Sequence, residues 1–342
     1  MQNIPKTTKG VITQPDGTVS YSEMPIPELT EDQILVKVHS SPIHSLDYKM
    51  ITGAFRDSRP KPRAGGLEGS GLVVATGSSE QAKALLNKRV AFSAYEAGAW
   101  VDYCVVPAKI VAPLPEHTDY EQGSMILANP LSVQALLNKC EVNNYTAIAN
   151  SAAASQVGRM LLKVAQEAGI TVVNFVRREE QVKILKDLGA EHIINRGEEG
   201  WEEKAEKVLA EQKVQVYFDA LAGPDGGKIL HLLPDNTDVY CYGKLTGKDI
   251  AFDVVELMTR HLTIKGYDIA DDMADPETAA KLLQGAYKNI EKGNYKSTIK
   301  AKYTYDRFEE ALKASTSDAT KGKVLHQTPT SKVTGLKLFL HL

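Results

Sequence analysis

The sequence has no long apolar run and no surplus of basic residues. A membrane-spanning helix needs roughly 18 or more mostly apolar residues in a row, and no stretch of this 342-residue chain approaches that length. The formal net charge is −3 at pH 7, whereas a nucleic-acid-binding domain typically carries a basic patch. We therefore expect a protein whose partners include neither a membrane nor a nucleic acid.

Cysteine is also scarce. The chain has 3 cysteines, Cys104, Cys140 and Cys241, and no two of them form a CxxC pair. So few cysteines indicate a reducing compartment without a disulfide framework, and they cannot build a four-cysteine zinc cluster. The first residues, MQNIPKTTKGVI, lack both the apolar core of a signal peptide and the arginine-rich pattern of a transit peptide. The expected location is cytoplasmic.

The composition is that of a globular protein with more than one core. Hydrophobic residues make up 43% of the chain and charged residues 24%, and a chain of this length favours two domains. The first third contains short runs of β-branched and aromatic residues, whereas strand-like and helix-like segments alternate from Tyr145 onward. The predicted fold class is α/β, with a β-rich domain and a doubly wound parallel sheet.

One βαβ unit stands out between residues 145 and 181. Apolar runs at 147–149 and 170–176 flank a helical pattern. We therefore expect two parallel strands joined by this helix in a right-handed crossover. The turn, 151–158, consists of small residues that let a ligand approach the helix N-terminus, where a phosphate is favoured. Gly158 is the only glycine of the usual G-x-G-x-x-G pattern, so the turn alone is equally consistent with an ordinary βα connection.

The end of the second strand favours a nucleotide with an extra phosphate. Arg177 and Arg178 follow this strand about 20 residues after Gly158. An acidic residue there would bind a ribose 2′-hydroxyl, whereas arginines form charge-assisted hydrogen bonds with a 2′-phosphate. The predicted cofactor is therefore NADPH rather than NADH.

Taken in order along the chain, several segments resemble those of the medium-chain dehydrogenase/reductase superfamily. The matching segments are PELTEDQILVKVHSSPIHSLDYKMITG, GGLEGSGLVVATG, KRVAFSAYEAGAWVDYCVVPAKIVAPLP, LGAEHIIN, FDALAG, YCYGKLTG and GKVLH. The resemblance implies a GroES-like β-rich catalytic domain, residues 1–120 and 268–342, and a Rossmann dinucleotide-binding domain, residues 121–267. It also implies a homodimer joined through the sixth Rossmann strand, LTIKGYDI, a run that would be unfavourable as an exposed sheet edge.

The positions that hold zinc in the zinc-dependent members of this superfamily are changed. The resemblance places His44 where those members have a cysteine, three residues before Asp47, and Leu67 where they have a histidine. The four-cysteine lobe is absent, since Cys104 is the only cysteine in the region. A catalytic zinc ion needs three protein ligands, and His44 with Glu68 leaves the set incomplete. No metal is expected.

Two zinc-free branches of the superfamily are the most similar, the quinone oxidoreductases and the mitochondrial 2-enoyl thioester reductases. NPLSV at 129–133, the turn ANSAAASQVGR and the string VNFVRR resemble the latter. Those enzymes carry a proton-donating tyrosine at a position that falls on Phe55 here, and a phenyl ring has no proton to give. Hydride transfer to a quinone or an α,β-unsaturated carbonyl is therefore expected ahead of enoyl-CoA or enoyl-ACP reduction.

A role without catalysis is the alternative of another class, because a fold does not fix a function. The resemblance extends to the zeta-crystallins, which are dinucleotide-binding proteins with a structural or binding role. NADPH-driven turnover separates the two classes. The small-molecule substrate itself is not identified by the sequence, because side chains from distant loops form its pocket.

The resemblance assigns two candidate catalytic residues to the loop 42–50. His44 can exchange protons near neutral pH, and Tyr48 can donate a hydrogen bond to a substrate carbonyl. The alternative is that both side chains are structural and that Asp47 caps the helix that follows.

Residue-by-residue comparison with the family gives a set of cofactor-binding positions. For the glycines of this set, the alternative to cofactor binding is that each only allows a tight turn. For its one lysine, the alternative is a solvated side chain. The set runs from the nicotinamide end through the pyrophosphate to the adenosine phosphate and the returning strand: Ser132, Gly223, Tyr242 and Gly243; Ser155, Gln156, Val157 and Gly158; Asn174, Arg177 and Arg178; and Lys323.

The last residues, LKLFLHL, alternate apolar and other side chains with a period of two. This pattern predicts an edge strand docked through its leucines, and the competing interpretation is a disordered terminus. The leucines on the predicted apolar face are Leu336, Leu338, Leu340 and Leu342.

Overall fold

The computed structural model describes residues 4–53, 61–317 and 319–328. Phe55 and the four leucines of the final segment lie outside the described residues, so the expectations for them stay predictions. The chain divides into two compact units. The first comprises Met1–Met125, Ile299–Asp318 and Lys323–Leu342, and the second comprises Ile126–Thr298 and Ala319–Gly322.

The described residues form strands and helices in the following order. The strands are β1 (Thr7–Thr13), β2 (Val19–Pro25), β3 (Gln33–Pro42), β4 (Arg63–Ala64), β5 (Glu68–Thr76), β6 (Arg89–Ser93), β7 (Tyr103–Pro107), β8 (Val111–Pro113), β9 (Ala147–Asn150), β10 (Thr171–Val176), β11 (His192–Asn195), β12 (Val216–Asp219), β13 (Asp238–Cys241), β14 (Thr263–Gly266), β15 (Ile299–Tyr303) and β16 (Lys323–Gln327). The helices are α1 (Ser45–Ile51), α2 (Glu80–Lys83), α3 (Tyr120–Gly123), α4 (Ala128–Asn143), α5 (Gln156–Glu167), α6 (Glu179–Asp187), α7 (Trp201–Glu211), α8 (Gly223–Leu232), α9 (Val254–Thr259), α10 (Ile269–Ala274), α11 (Pro276–Glu291) and α12 (Phe308–Thr316).

The first unit is built from two sheets. One has the order β2-β1-β4, and the other has the order β15-β16-β3-β5-β6-β8, with β7 paired to β3. Strand β16 pairs with β3 in antiparallel register, Leu325 opposite Pro42, and Ile43 N donates to Val324 O at 2.9 Å. This pairing brings the start of β16 beside the start of α1. The predicted β-rich, GroES-like first domain is confirmed.

The second unit is a six-stranded parallel sheet of order β11-β10-β9-β12-β13-β14. Its central strands are fully buried apolar runs, as expected when helices cover both faces; Ile148 of β9 and Val216 of β12 are both inaccessible to solvent. The strand order reverses between β9 and β12, and in such a sheet ligands bind outside the carboxyl ends of the strands at this reversal. The predicted doubly wound Rossmann sheet is confirmed.

The segment after β14 differs from the predicted domain division. Residues 268–298 were expected in the first domain, but they belong to the second unit. Lys139 Nζ on α4 donates to Asp272 Oδ1 on α10 at 2.8 Å, and Gln134 of α4 donates to the hydroxyl oxygen of Tyr295. The helices therefore extend the layer of α4, a tertiary contact that local sequence pattern does not encode.

No helix in the described part of the chain combines the length and apolar character needed to cross a membrane.

Candidate functional site

The carboxyl ends of β9 and β12 are joined by a buried polar network. Ser151 Oγ donates to Asp219 Oδ1 at 2.9 Å and accepts a hydrogen bond from Ala220 N at 2.8 Å. The Tyr217 hydroxyl donates to the same carboxylate oxygen at 3.0 Å, and the other oxygen accepts from Ala222 N at 3.0 Å. Asp219 thus fixes the backbone at the point where the strand order reverses. Its role was not predicted, although it lies in the segment FDALAG.

The turn after β9 is shaped for close approach between strand and helix. Ser155 caps α5, and its Oγ accepts a hydrogen bond from Gly158 N at 3.1 Å. A Cβ atom on residue 158 would lie 2.3 Å from the carbonyl oxygen of Ala153, so only glycine fits. The N–H groups of Gln156 and Val157 open the helix, and a helix does not use its first N–H groups internally. They are available to an anion.

Two buried side chains at this edge have polar atoms without a hydrogen-bond partner among the described residues. Asn150, the last residue of β9, is inaccessible to solvent, and neither its Nδ2 nor its Oδ1 has a hydrogen-bond partner among the described residues. Gln156, the first residue of α5, is 8% exposed, and its Nε2 is likewise unpaired within that part of the chain. An unpaired buried polar group costs about 1–3 kcal/mol. These groups fit a bound polar molecule that completes their hydrogen bonds, as a dinucleotide would.

The two arginines that follow β10 differ in environment. Arg177 is exposed, whereas Arg178 is partly buried and its Nη2 donates to Thr320 Oγ1 at 3.4 Å. Arg159 of α5 donates from Nε to Ala154 O at 2.7 Å and from Nη2 to Thr320 O. The short segment 319–322 therefore returns to the same sheet edge. Neither Arg159 nor Thr320 was identified from the sequence, because the contact joins positions far apart in the chain.

Asn174, predicted at the adenosine phosphate, lies on strand β10. Its side chain is inaccessible to solvent, and its Nδ2 donates to Val172 O at 3.0 Å and to His192 O at 3.3 Å. These bonds engage Nδ2, whereas Oδ1 has no hydrogen-bond partner among the described residues. The assignment of Asn174 to the adenosine phosphate stays a prediction.

The remaining cofactor positions of the second unit lie on turns and a helix. Gly223 has a φ of +65°, and a Cβ atom there would lie 2.4 Å from Thr246 Oγ1. A Cβ atom on Gly243 would lie 2.8 Å from Ala220 O, and Tyr242 N donates to Asp219 O at 2.9 Å. The positive φ of Gly223 and the close approach of the Ala220 backbone to Gly243 are enough to explain these glycines. Their contacts with a cofactor stay predictions.

Ser132 is partly buried on α4, and its Oγ donates to Ala128 O at 2.7 Å. This bond to the preceding turn of the helix is a common use of a serine hydroxyl, and the oxygen keeps the capacity to accept a further hydrogen bond. Its assignment to the nicotinamide end stays a prediction.

The first unit contains a separate cluster of ionisable side chains around His44. His44 Nε2 lies 2.8 Å from Glu68 Oε1 on β5, and Lys323 Nζ on β16 lies 2.9 Å from His44 Nδ1. An ammonium group can only donate, so Nδ1 accepts from Lys323 and the neutral ring carries its proton on Nε2, which donates to Glu68. His44, a predicted catalytic residue, is therefore in direct contact with Lys323, the predicted cofactor-binding residue of strand β16.

Burial shifts the proton affinities in this cluster. Asp47 is 2% exposed and its Oδ2 accepts a hydrogen bond from His44 N at 2.8 Å. Burial raises the pKa of Asp47 to about 6, against the opposing effects of His44 and Lys323. Burial lowers the pKa of Lys323 to about 8, and the carboxylates of Glu68 and Asp47 partly oppose this change. Both groups therefore change charge closer to neutrality than they would in water.

Tyr48 is partly buried and packs against an apolar cluster that includes Ile43, Trp100 and Tyr305. The structure gives its ring a packing role, and its catalytic role stays a prediction.

The residues around His44 do not fit a zinc ion. Both ring nitrogens of His44 are engaged, one of them by the positively charged Lys323. Among the described residues, no group of three or more histidine, cysteine, aspartate or glutamate side chains is arranged to hold a metal ion. Burial raises the pKa of Cys104 to about 12, and its thiol donates to Gly98 O at 3.3 Å. A neutral thiol is not the thiolate that zinc binds.

Two family models match the chain, one in each unit. The model described as "Alcohol dehydrogenase GroES-like domain" matches residues 30–116. The model described as "Zinc-binding dehydrogenase" matches residues 157–285. Their order agrees with the order of the β-rich sheet and the parallel sheet along the chain.

Curated relatives carry two different names. The mitochondrial enoyl-[acyl-carrier-protein] reductase of Arabidopsis thaliana is 24% identical over 258 residues, which cover 74% of this chain and 68% of the relative. The quinone oxidoreductase of Pongo abelii is 24% identical over 300 residues, which cover 87% of this chain and 89% of the relative.

The fold has a close counterpart among solved structures. The structure of Escherichia coli quinone oxidoreductase complexed with NADPH superimposes with a TM-score of 0.80 at 20% identity, covering 94% of this chain and 99% of the other. Both family models, the curated relatives and the shared fold agree with the segments that carried the resemblance. The chain belongs to the medium-chain dehydrogenase/reductase superfamily and is an oxidoreductase, similar to its quinone oxidoreductase and enoyl reductase members.

Proposed function

We propose that this protein is an NADPH-dependent, zinc-independent reductase that transfers a hydride to a quinone or to a carbon–carbon double bond activated by a carbonyl group. The observation that carries the proposal is made at the edge of the parallel sheet. There the α5 N-terminus and two arginines occur together with amide atoms of Asn150 and Gln156 that have no partner within the described part of the chain. The proposal agrees with the names of the relatives, quinone oxidoreductase and enoyl-[acyl-carrier-protein] reductase.

The cofactor would be held mainly by the second unit. The N–H groups at the start of α5, with Ser155 as the cap and Gly158 allowing close packing, would bind the pyrophosphate. Arg177 and Arg178 would bind the 2′-phosphate, since a guanidinium group matches phosphate geometry. NADPH supplies a hydride, the chemistry that no side chain of the protein can provide. Ser132, Gly223, Tyr242 and Gly243 would line the ribose and nicotinamide end.

Among the described residues, no group of three or more potential ligands is arranged to hold a metal ion that would polarise an alcohol or aldehyde. The acceptor class that agrees best with this observation is one already activated, as quinones and conjugated carbonyl compounds are. Enoyl thioester reduction is the second candidate, supported by the similarity to the Arabidopsis thaliana reductase. His44 and Tyr48 are the proposed catalytic residues, with the ionisable cluster around His44 as the stronger case.

We also propose a cytoplasmic homodimer joined through β14. This strand is at the end of its sheet, so its backbone groups can pair with a second copy. Helix α9, which precedes it, exposes Val254, Val255 and Met258 by 58%, 60% and 69%. Exposed apolar side chains on the helix that precedes an open edge strand favour an interface.

A survey of NADPH consumption tests the proposed activity. The purified protein, before and after dialysis against a strong chelator, would be mixed with 1,2- and 1,4-quinones, enones and crotonyl thioesters. We expect turnover with a quinone or an enone, unchanged by the chelator. Turnover with crotonyl thioesters alone would favour the second candidate. NADPH binding without turnover on any acceptor would overturn the proposal in favour of a zeta-crystallin-like binding role, and activity restored by zinc would contradict metal independence.

A further inference from the structure

Arg159 departs from the charge pattern that is usual at the start of a helix. It is the fourth residue of α5, and the first turn of this helix, which the structure describes in full, contains no acidic residue. A helix N-terminus carries partial positive charge, so it disfavours cations and favours anions. By comparison, α6 and α7 each have two glutamates in their first turn. A further positive charge at the start of α5 is unfavourable unless a negative group binds beside it.

The guanidinium group of Arg159 lies against the turn between β9 and α5. Helix side chains lean toward the N-terminus, so this side chain extends back over the turn. Its Nε donates to Ala154 O at 2.7 Å, and its Nη2 donates to Thr320 O. Both acceptors are neutral backbone carbonyl groups. A guanidinium group has five N–H donors, so these two bonds fix its position and leave other donors for a ligand.

Within the described part of the chain, no acidic side chain forms an ion pair with Arg159. The residue is partly buried, and burial lowers the pKa of its guanidinium group. Glu179 and Glu180, which begin the next helix, are exposed. Charges removed from water are usually paired. The missing negative partner of Arg159 therefore points to a bound anion.

A second arginine contacts the same threonine. Arg178 Nη2 donates to Thr320 Oγ1 at 3.4 Å, so Thr320 bonds one guanidinium group through its carbonyl oxygen and the other through its hydroxyl. All three residues belong to the second unit. Two positive charges held at one small residue repel each other, whereas an anion bound by both would be attracted to each. The two arginines thus form a site for a group with more than one negative charge.

Resting on the NADPH dependence proposed above, we propose that Arg159 determines cofactor specificity by binding the 2′-phosphate of NADPH together with Arg178, and that Thr320 positions the two guanidinium groups. A phosphate monoester carries roughly 1.5 to 2 negative charges at pH 7 and has three acceptor oxygens. The N–H fork of an arginine matches two of these oxygens. NADH has a hydroxyl group at this position, so Arg159 favours NADPH over NADH.

The pyrophosphate is the other anion of the cofactor, and NADPH and NADH both contain it. The contact of Arg159 with Thr320 favours the 2′-phosphate, because Thr320 also bonds Arg178 just after β10. In a Rossmann sheet the adenosine ribose binds at the end of this second strand. An arginine that bound the pyrophosphate would contribute equally to both cofactors, and this difference gives the test.

Adenosine fragments test the inference without turnover and without the nicotinamide half of the cofactor. 2′,5′-ADP contains the 2′-phosphate and 5′-AMP lacks it, and NADPH and NADH form a second matched pair. By isothermal titration, Arg159→Met should weaken 2′,5′-ADP and NADPH about 10-fold or more, and 5′-AMP and NADH less than twofold. An equal loss for both members of a pair would overturn the inference, because Arg159 would then act on the pyrophosphate or only support the turn.

Lys163→Met is the matched control. It removes a positive charge one turn further along the same helix, where Lys163 Nζ donates to Gly293 O at 3.5 Å. Its affinities for all four ligands should equal those of the unmodified protein. A loss of NADPH preference in Lys163→Met as large as that in Arg159→Met would also overturn the inference, because the effect would then come from the overall charge of α5.

A measurement on the unmodified protein does not depend on the folding of a variant. In ³¹P nuclear magnetic resonance the bound 2′-phosphate of 2′,5′-ADP should titrate well below its free pKa of about 6, because neighbouring cations stabilise the dianion. In Arg159→Met this pKa should move back toward the free value. An unshifted pKa of the 2′-phosphate bound to the unmodified protein would refute the site.

Failure of this inference and failure of the proposed function give different results. If the unmodified protein prefers NADPH and the folded Arg159→Met variant keeps that preference, Arg159 does not bind the 2′-phosphate while the proposed reductase stands. If the unmodified protein binds neither NADPH nor 2′,5′-ADP, both proposals fail.

Discussion

Gly158 and Ala153 face each other across the turn between β9 and α5, and a Cβ atom on residue 158 would lie 2.3 Å from the Ala153 carbonyl oxygen. The Cβ position is fixed by the backbone of residue 158, and the atoms that it would meet belong to the Ala153 backbone. Rotation of a side chain therefore cannot relieve the clash. The turn that would bind the pyrophosphate therefore depends on the missing side chain of Gly158.

Gly158→Ala should weaken NADPH binding at least tenfold and lower Tm, because the turn must open to admit the methyl group. Isothermal titration and thermal denaturation measure the two effects. Gly169→Ala, at the other end of α5, is the matched control: its φ is +73° and nothing lies within 4 Å of the added Cβ. The control should lose about 1 kcal/mol of stability with unchanged NADPH affinity. Equal NADPH affinity in both variants would show that the turn does not bind the cofactor.

Replacing Arg177 and Arg178 together by alanine should remove the preference for NADPH over NADH. A charge-assisted hydrogen bond contributes roughly 1.5–3 kcal/mol, so the NADPH affinity should fall about 10- to 150-fold while NADH binding is spared. Arg196→Ala is the control, because Arg196 follows the neighbouring strand β11 but pairs with Asp225 at 2.9 Å. Equal affinities for the two cofactors in the unmodified protein would contradict the assignment.

Charges on the exposed face of α9 should separate the proposed dimer. The double change Val255→Glu and Met258→Glu would place two carboxylates in the interface, where their desolvation is unfavourable. Light scattering should change from twice the chain mass of 37.4 kDa to that mass itself. Val142→Glu, at a residue 67% exposed on α4, should remain dimeric. A monomer in the unmodified protein at micromolar concentration rules out the interface.

Asp47 should give the protein an unusual stability profile between pH 4 and 6. Its folded-state pKa is raised from 3.8 to about 6, so the folded state binds more protons than the unfolded state in this window. The stabilisation is complete below the unfolded pKa and is lost as pH rises through 6, at most about 3 kcal/mol. Asp47→Asn keeps an acceptor for His44 N, so the free energy of unfolding of the variant relative to the unmodified protein should rise from pH 4 to pH 7.

Urea denaturation at unit steps of pH measures this difference. Asp275→Asn supplies a control of opposite sign, because hydrogen bonds from Thr278 lower the pKa of Asp275. Its acid form is disfavoured by folding, so the stability that it contributes is lost on acidification. A difference between Asp47→Asn and the unmodified protein that stays constant from pH 4 to 7 would show that Asp47 is not buried in its charged form.

The sequence by itself determined the features that depend on local order. Apolar runs and the helical period placed β9, α5 and β10, because each pattern spans only a few residues and the hand of the crossover is fixed by the chirality of the chain. Gly158 and the arginines after β10 were proposed for the same reason, because their predicted roles follow from their distance along the chain to a turn or a strand end.

Only the tertiary structure decided which distant residues meet. The predicted cofactor contact of Lys323 stays a prediction, and the antiparallel register of β16 on β3 brings this residue to His44, 279 positions away. The sequence also did not show that Asn174, predicted at the adenosine phosphate, is buried with its Nδ2 bonded to Val172 O. Helices α10 and α11 joined the second unit because they pack on α4. Sequence spacing carries no information on strand register across hundreds of residues, since register is selected by the burial of whole faces at once.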